Sequence, residues 1–338
     1  MSKINARSPY YINVASTNLT NAKLELYVYT GTQTTNRPVV TYTIDTVAID
    51  EEVTFEISEL VKDYILNEFN GTYSCFNVWV DYQITESILD VEQSASSFVQ
   101  LEGFDGYGNH EDGANPQNDS TDLLQSNTIM YVIDGGVVTV PVDQGLVVDV
   151  KFYKDAALVS TTTIIPTSSN TGQVVYANES DVTSVDVYDG LTTTTIAVEN
   201  INECKYTPYK VTFVNKFGVF QDLYFFKRSD INLSVTGESF KRNNVTSGSY
   251  NISKHQTTNL NKTGSKSITL NSGFVDETFN EVLEQLLLSE KVWITYNSNV
   301  LPINLKTSTL KYQTRLNDKL INYTIDADFA FNSINNVR

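Results

Sequence analysis

Between residues 320 and 331 the chain reads LINYTIDADFAF, with apolar side chains at alternate positions. Ile321, Tyr323, Ile325, Ala327 and Phe329 fall on one side of an extended chain, and Asn322, Thr324, Asp326 and Asp328 on the other. A period of two marks a strand with one face toward a core. The pattern therefore predicts a strand here, with STLKYQTRL (308–316) as its hairpin partner across Asn317-Asp318. Segments rich in Val, Tyr, Phe and Thr repeat the theme: LELYVYT (24–30), VVTYTID (39–45), SCFNVWVDYQIT (74–85), VVDVKFY (147–153), VTSVDVYD (182–189) and YKVTFVN (209–215). Such side chains suit a pleated, half-buried surface.

Only two stretches carry helical spacing. ISELVKDYILNEF (57–69) puts Ile57, Leu60, Val61, Tyr64 and Ile65 on one stripe, with Ser58 as N-cap and Asn70-Gly71 as a stop. DETFNEVLEQLLLSE (276–290), capped by Asp276, aligns Val275, Phe279, Val282, Leu283, Leu286 and Leu287. This second helix is expected to lie as a lid on a C-terminal sheet rather than to fill a partner's groove.

The predicted fold class is mainly β: β-sandwich modules with a C-terminal α+β domain carrying one long amphipathic helix. Four segments follow from the spacing of elements and turns: an N-terminal β-rich domain with one helix (1–100), a Gly/Asn/Asp-rich arm or linker (101–127), a small β-sandwich (128–204), and a C-terminal α+β assembly domain (205–338). Charge sharpens the last boundary. The net charge of −17 is split: residues 1–200 hold 7 Lys/Arg against 28 Asp/Glu, whereas residues 201–338 hold 16 against 12. Opposed halves can draw the acidic part of one copy to the basic part of another; an acidic surface that merely aids solubility is the plainer reading.

Composition narrows the chemistry. No apolar run approaches a membrane span, and MSKINARSPYY lacks the apolar region of an export signal, so synthesis in a reducing cytoplasm is expected. Cys75 and Cys204 are far apart in sequence and read as buried free thiols. With two His and two Cys, and no C-x-x-C or H-E-x-x-H, zinc is disfavoured. There is no G-x-S-x-G elbow and no phosphate-binding loop, so no catalytic residue and no cofactor are assigned. Nucleic-acid binding is disfavoured by charge, although the basic, polar stretch 241–270 could line a channel that nucleic acid passes. The aromatic run FGVFQDLYFFKR (217–228) reads as a buried strand before it reads as a sugar-stacking platform.

Residues 101–120, LEGFDGYGNHEDGANPQNDS, are the least strand-like part of the chain. Asp105, Asn109, Glu111 and Asp112 offer oxygens, without the spacing of a calcium loop. Three readings stand: an assembly arm, a flexible linker, or a cation site. As an arm, it would anchor Phe104 and Tyr107 in a neighbour's pocket, with Tyr10 and Tyr11 of residues 1–12 forming a second arm. Removal of such an arm would leave a folded subunit.

RSPYYI (7–12), YTPYKVTFVNKFGVFQDLYFF (206–226), SITLNSGFVDETFNEVLEQLLLSEKVWI (267–294) and KLINYTIDADFAFNSINNVR (319–338) resemble a family of virion proteins of tailed bacteriophages of Bacteroidetes hosts, the crAss-like or flavobacterial phages. The resemblance spans both ends and most of the C-terminal half. It implies a structural part of the neck, tail or baseplate, present in several copies, and supplies no ligand residue. The expected partners are then other copies of this chain and neighbouring virion proteins, with no membrane, and the expected location is the virion. A carbohydrate-recognising receptor-binding or adhesin protein is the second reading, and a glycan hydrolase the third.

Overall fold

A computed structural model describes residues 3–31, 34–73, 77–116, 125–126, 128–133, 135–140, 147–164, 172–176, 181–188, 190, 192–311 and 321–334. The chain is mainly β, arranged in several sheets with little helix. It forms two compact units. The first comprises Met1–Asn202, Thr212–Leu223 and Thr278–Glu290; the second comprises Glu203–Val211, Tyr224–Glu277 and Lys291–Arg338.

In the first unit, strands Lys3–Asn5, Val99–Phe104, Val78–Ile88, Leu19–Tyr29 and Tyr42–Val47 lie side by side in that order. The central strand Leu19–Tyr29 buries Leu19, Ala22, Leu24, Leu26 and Val28 and turns its other positions toward partial exposure. A two-stranded sheet, Tyr11–Ala15 against Glu52–Glu56, contributes Ile12, Val14, Val53 and Phe55 to the same core. Farther along, Ala157–Ile164, Val148–Lys154, Ser184–Tyr188, Thr193–Asn200 and Ile129–Val132 form a five-stranded sheet. Its Val148, Val150, Phe152, Val185, Val187 and Ile196 are buried by strict alternation.

The two helices depart from the sequence expectation. Helix α1 spans only Ser58–Lys62, and Ser58 is not its N-cap: Ile57 holds that position without a side-chain bond, and Glu56 Oε1 accepts from the Ser58 amide at 2.9 Å. Past Lys62 the burial pattern changes period, with Ile65, Asn67 and Phe69 inside and Leu66 70% exposed. Helical spacing loses here because alternate residues find partners: Asn67 donates to Asp105 at 3.0 Å, and Phe69 meets Tyr73 and Phe220. Helix α2, Phe279–Leu288, buries Phe279, Val282, Leu283 and Leu286 as the stripe requires, with Thr278 rather than Asp276 at its N-cap. It belongs to the first unit, where the Phe279 ring meets Tyr131 edge-on at 5.8 Å and Gln285 Nε2 donates to Ser126 at 2.6 Å.

In the second unit, strands Val292–Tyr296, Asn299–Leu305, Ile321–Asn332, Thr257–Val275 and Asp230–Lys241 are successive neighbours. Strand Ile321–Asn332 buries Ile321, Tyr323, Ile325, Ala327 and Phe329, matching its alternation. The hairpin partner expected at 308–316 is not formed by residues 308–311, which are not in a strand; residues 312–320, including the Asn317-Asp318 turn, lie outside the described residues.

Candidate assembly surfaces

The Gly-rich stretch is built into the first unit from its first residues. Val99–Phe104 runs antiparallel to Val78–Ile88 and parallel to Lys3–Asn5, with Ile4 opposite Gly103 and Asn5 opposite Phe104. A Cβ on Gly103 would sit 2.6 Å from Val61 Cγ1 and 2.9 Å from Val78 Cγ2, so only glycine fits between strand and helix. Beyond the strand, Gly218 has φ +77, and a Cβ there would lie 2.8 Å from the Asp105 amide nitrogen. That close approach lets the Tyr107 amide reach the Lys216 carbonyl at 2.8 Å.

The two segments expected to project as arms instead clasp each other. Ala6 and Arg7 amides donate to the Phe104 and Gly106 carbonyls at 2.8 and 2.9 Å. Gly108 donates to Ser8 Oγ at 2.8 Å, and Asn115 Nδ2 bonds both the Asn5 and Ser8 carbonyls at 3.0 Å. Phe104 is buried, Tyr107 is half-buried with the Arg7 guanidinium 5.0 Å from its ring centre, and Tyr10 packs against the core. Among the four residues, only Tyr11 is exposed, at 52%. Nothing in the sequence pattern announces the clasp, because its bonds are backbone amides and short polar side chains with no periodicity.

The oxygens weighed as a cation site are separately engaged. Asp105 accepts from Asn67, whereas Asn109 and Asp112 close a capping box around the turn His110–Asp112. Among the described residues no group of three or more His, Cys, Asp or Glu is placed to hold a metal. Burial pushes the Asp105 carboxyl above its ordinary 3.8, against the lowering effects of the Asn67 bond and Arg7, and its Oδ1 is buried without a partner. Nearby, Lys62 Nζ pairs with Glu290 at 2.8 Å and Arg7 Nη2 donates to the Leu288 carbonyl at 2.8 Å. A second buried charge, Asp81, is fully enclosed; Arg37 Nε lies 2.6 Å from it and the guanidinium stacks 3.6 Å from the Phe98 ring centre.

The aromatic run at 217–228 points inward. Phe220, Leu223, Phe225 and Phe226 are buried, and Phe217 is half-buried against Val219. Cys204 is exposed, contrary to the expected buried thiol, because it sits in a bend outside any strand; Cys75 lies outside the described residues.

The second unit offers a different surface. Asp230–Lys241 pairs antiparallel with the first half of Thr257–Val275, from Asp230 opposite Thr269 to Lys241 opposite Thr257, interrupted by a bulge between Thr236 and Glu238. All twelve residues of Asp230–Lys241 are exposed. Ile231 (40%), Leu233 (58%) and Val235 (57%) nevertheless keep an apolar alternation on one face. Residues 230–269 carry Lys241, Arg242, Lys254, Lys262 and Lys266 against Asp230 and Glu238, a basic ribbon on a strongly acidic chain. No helix among the described residues is long and apolar enough to cross a membrane. No family model and no curated protein matches this chain.

Proposed function

We propose that this chain is a structural subunit of a tailed-phage particle, built of β-sandwich modules and assembling with copies of itself and neighbouring virion proteins into a ring of the neck, tail or baseplate. The observation that carries this reading is the exposed ribbon at 230–269. A strand whose two faces both meet solvent has no reason to keep Ile231, Leu233 and Val235 in register on one face unless something covers them. The opposed charges of residues 1–200 and 201–338 favour a second copy as the cover. The resemblance of the N-terminal, 206–226, 267–294 and C-terminal segments to virion proteins supports the same assignment.

The test is assembly. Purified protein examined by light scattering and negative-stain imaging should form closed multimers that weaken as salt rises. Leu233→Asp with Val235→Asp should leave a folded monomer. A wild-type protein that stays monomeric across concentration and salt would overturn the reading.

A further inference from the structure

The ribbon ends in a recess of about 610 Å³ lined by Arg242, Asn243, Asn244, Ser253, Lys254, His255 and Thr258. Its chemistry is one-sided. A guanidinium, an ammonium and an imidazole share the lining with amides and hydroxyls, and no carboxylate is present. No ion pair or side-chain hydrogen bond to an acid engages Arg242 or Lys254 among the described residues. On a chain of net charge −17, three nitrogen bases around one cavity are an exception that solubility does not explain.

The cavity walls are held in place. The Arg242 amide donates to the Gln256 carbonyl at 2.7 Å, and Asn244 Nδ2 to the Lys254 carbonyl at 3.1 Å. Asn243 Oδ1 accepts from the Val245 amide at 3.0 Å, which leaves the Asn243 Nδ2 as a donor. Thr258 closes the inner end of the lining, with its Oγ1 buried. Thr258 stands opposite Phe240 in the ribbon, and Phe240, 41% exposed, has the Arg242 guanidinium 5.8 Å from its ring centre.

We propose that this recess binds a tetrahedral oxyanion, phosphate or sulfate, carried as a monoester on a small polar molecule. Cationic donors with no carboxylate in the lining select an anion, and the planar fork of Arg242 with the point charge of Lys254 suits several oxygens on one centre. The volume exceeds what a bare anion fills and falls in the range of small-molecule sites. Asn243, Asn244 and Ser253 meet the hydroxyls of the organic part. This site stands independently of the assembly reading.

The test is titration of the full chain with inorganic phosphate, inorganic sulfate and glucose 6-phosphate, at constant ionic strength set by chloride, followed by calorimetry and amide chemical shifts. Saturable binding with shifts confined to residues 242–258 is expected, the monoester binding more tightly than either inorganic anion. Arg242→Ala and Lys254→Ala should each lower affinity about tenfold, the loss of one charge-assisted contact. Lys262→Ala with Lys266→Ala, on the ribbon outside the recess, should leave affinity unchanged. Equal losses in that control would reduce the effect to diffuse charge and overturn the site. Inorganic anions matching the monoester would overturn the assignment of an organic ligand, and absence of saturable binding would overturn both.

Discussion

The clasp between residues 3–8 and 101–116 and the ribbon at 230–269 make a useful pair, because sequence alone ranks them the wrong way round. The Gly/Asn/Asp-rich stretch has the composition of a loose segment, yet its glycines admit backbone so closely that amides of Ala6, Arg7, Tyr107 and Gly108 all find acceptors. The ribbon has the composition of good strands, yet its residues Asp230–Lys241 are exposed throughout. Propensity speaks to the shape a backbone takes; burial depends on whether another surface arrives.

Deletion offers the sharpest break in that comparison. Removing residues 103–116 takes away part of the strand beside Val78–Ile88 and one partner of every hydrogen bond of the clasp, so the first unit should fail to fold, read as loss of a cooperative thermal transition. Replacing residues 243–255 by a short Gly-Ser turn should leave the transition in place. A folded, cooperative Δ103–116 protein would restore the separable arm.

Next in size is the Arg37–Asp81 pair. Arg37→Ala strands a fully enclosed carboxylate, and breaking such a pair costs roughly 3–5 kcal/mol, measurable by urea denaturation. An exposed ribbon cation such as Lys262, changed to Ala, should move stability by less than about 0.5 kcal/mol.

A smaller, pH-dependent effect attaches to Asp105. Because burial raises its carboxyl, the folded chain retains this proton to higher pH than the unfolded chain. Its contribution is therefore intact below the ordinary value of 3.8 and is lost as pH rises through the raised folded value. Asp105→Asn should stabilise the fold at neutral pH and give no gain at acid pH, with Asn67 still able to donate to it. Equal stabilisation at both pH values would show that the charge is not the cause.

The smallest effect on stability belongs to the ribbon face. Leu233→Ser with Val235→Ser should change unfolding free energy by under about 1 kcal/mol, since both side chains are already more than half exposed. The same substitutions should lower assembly markedly. If they destabilise the isolated subunit instead, the face is covered by the chain's own residues.

Several hairpins show another limit of reading by pattern. Asp50-Glu51, Leu89-Asp90, Asp155-Ala156 and Asn297-Ser298 each place two consecutive residues at positive φ, the geometry that matches strand twist in tight turns. None has the Asn-Gly or Asp-Gly signature, and the strands that flank them carry the cost. The 57–69 stretch failed for a related reason: its helical stripe was genuine to Val61, after which Asn67 and Phe69 followed partners that lie far away in sequence.

What the amino-acid order determined unaided is the β character of the chain, the inward faces of strands such as Ile321–Asn332, the buried stripe of α2, and the division of charge. These depend on residue type and local period, which are properties of a segment. Which glycine must admit a neighbour's backbone, which carboxylate loses its water, and which strand is left uncovered were decided only by tertiary structure. Each of these depends on segments distant in sequence meeting at contact range, and no local period encodes that meeting.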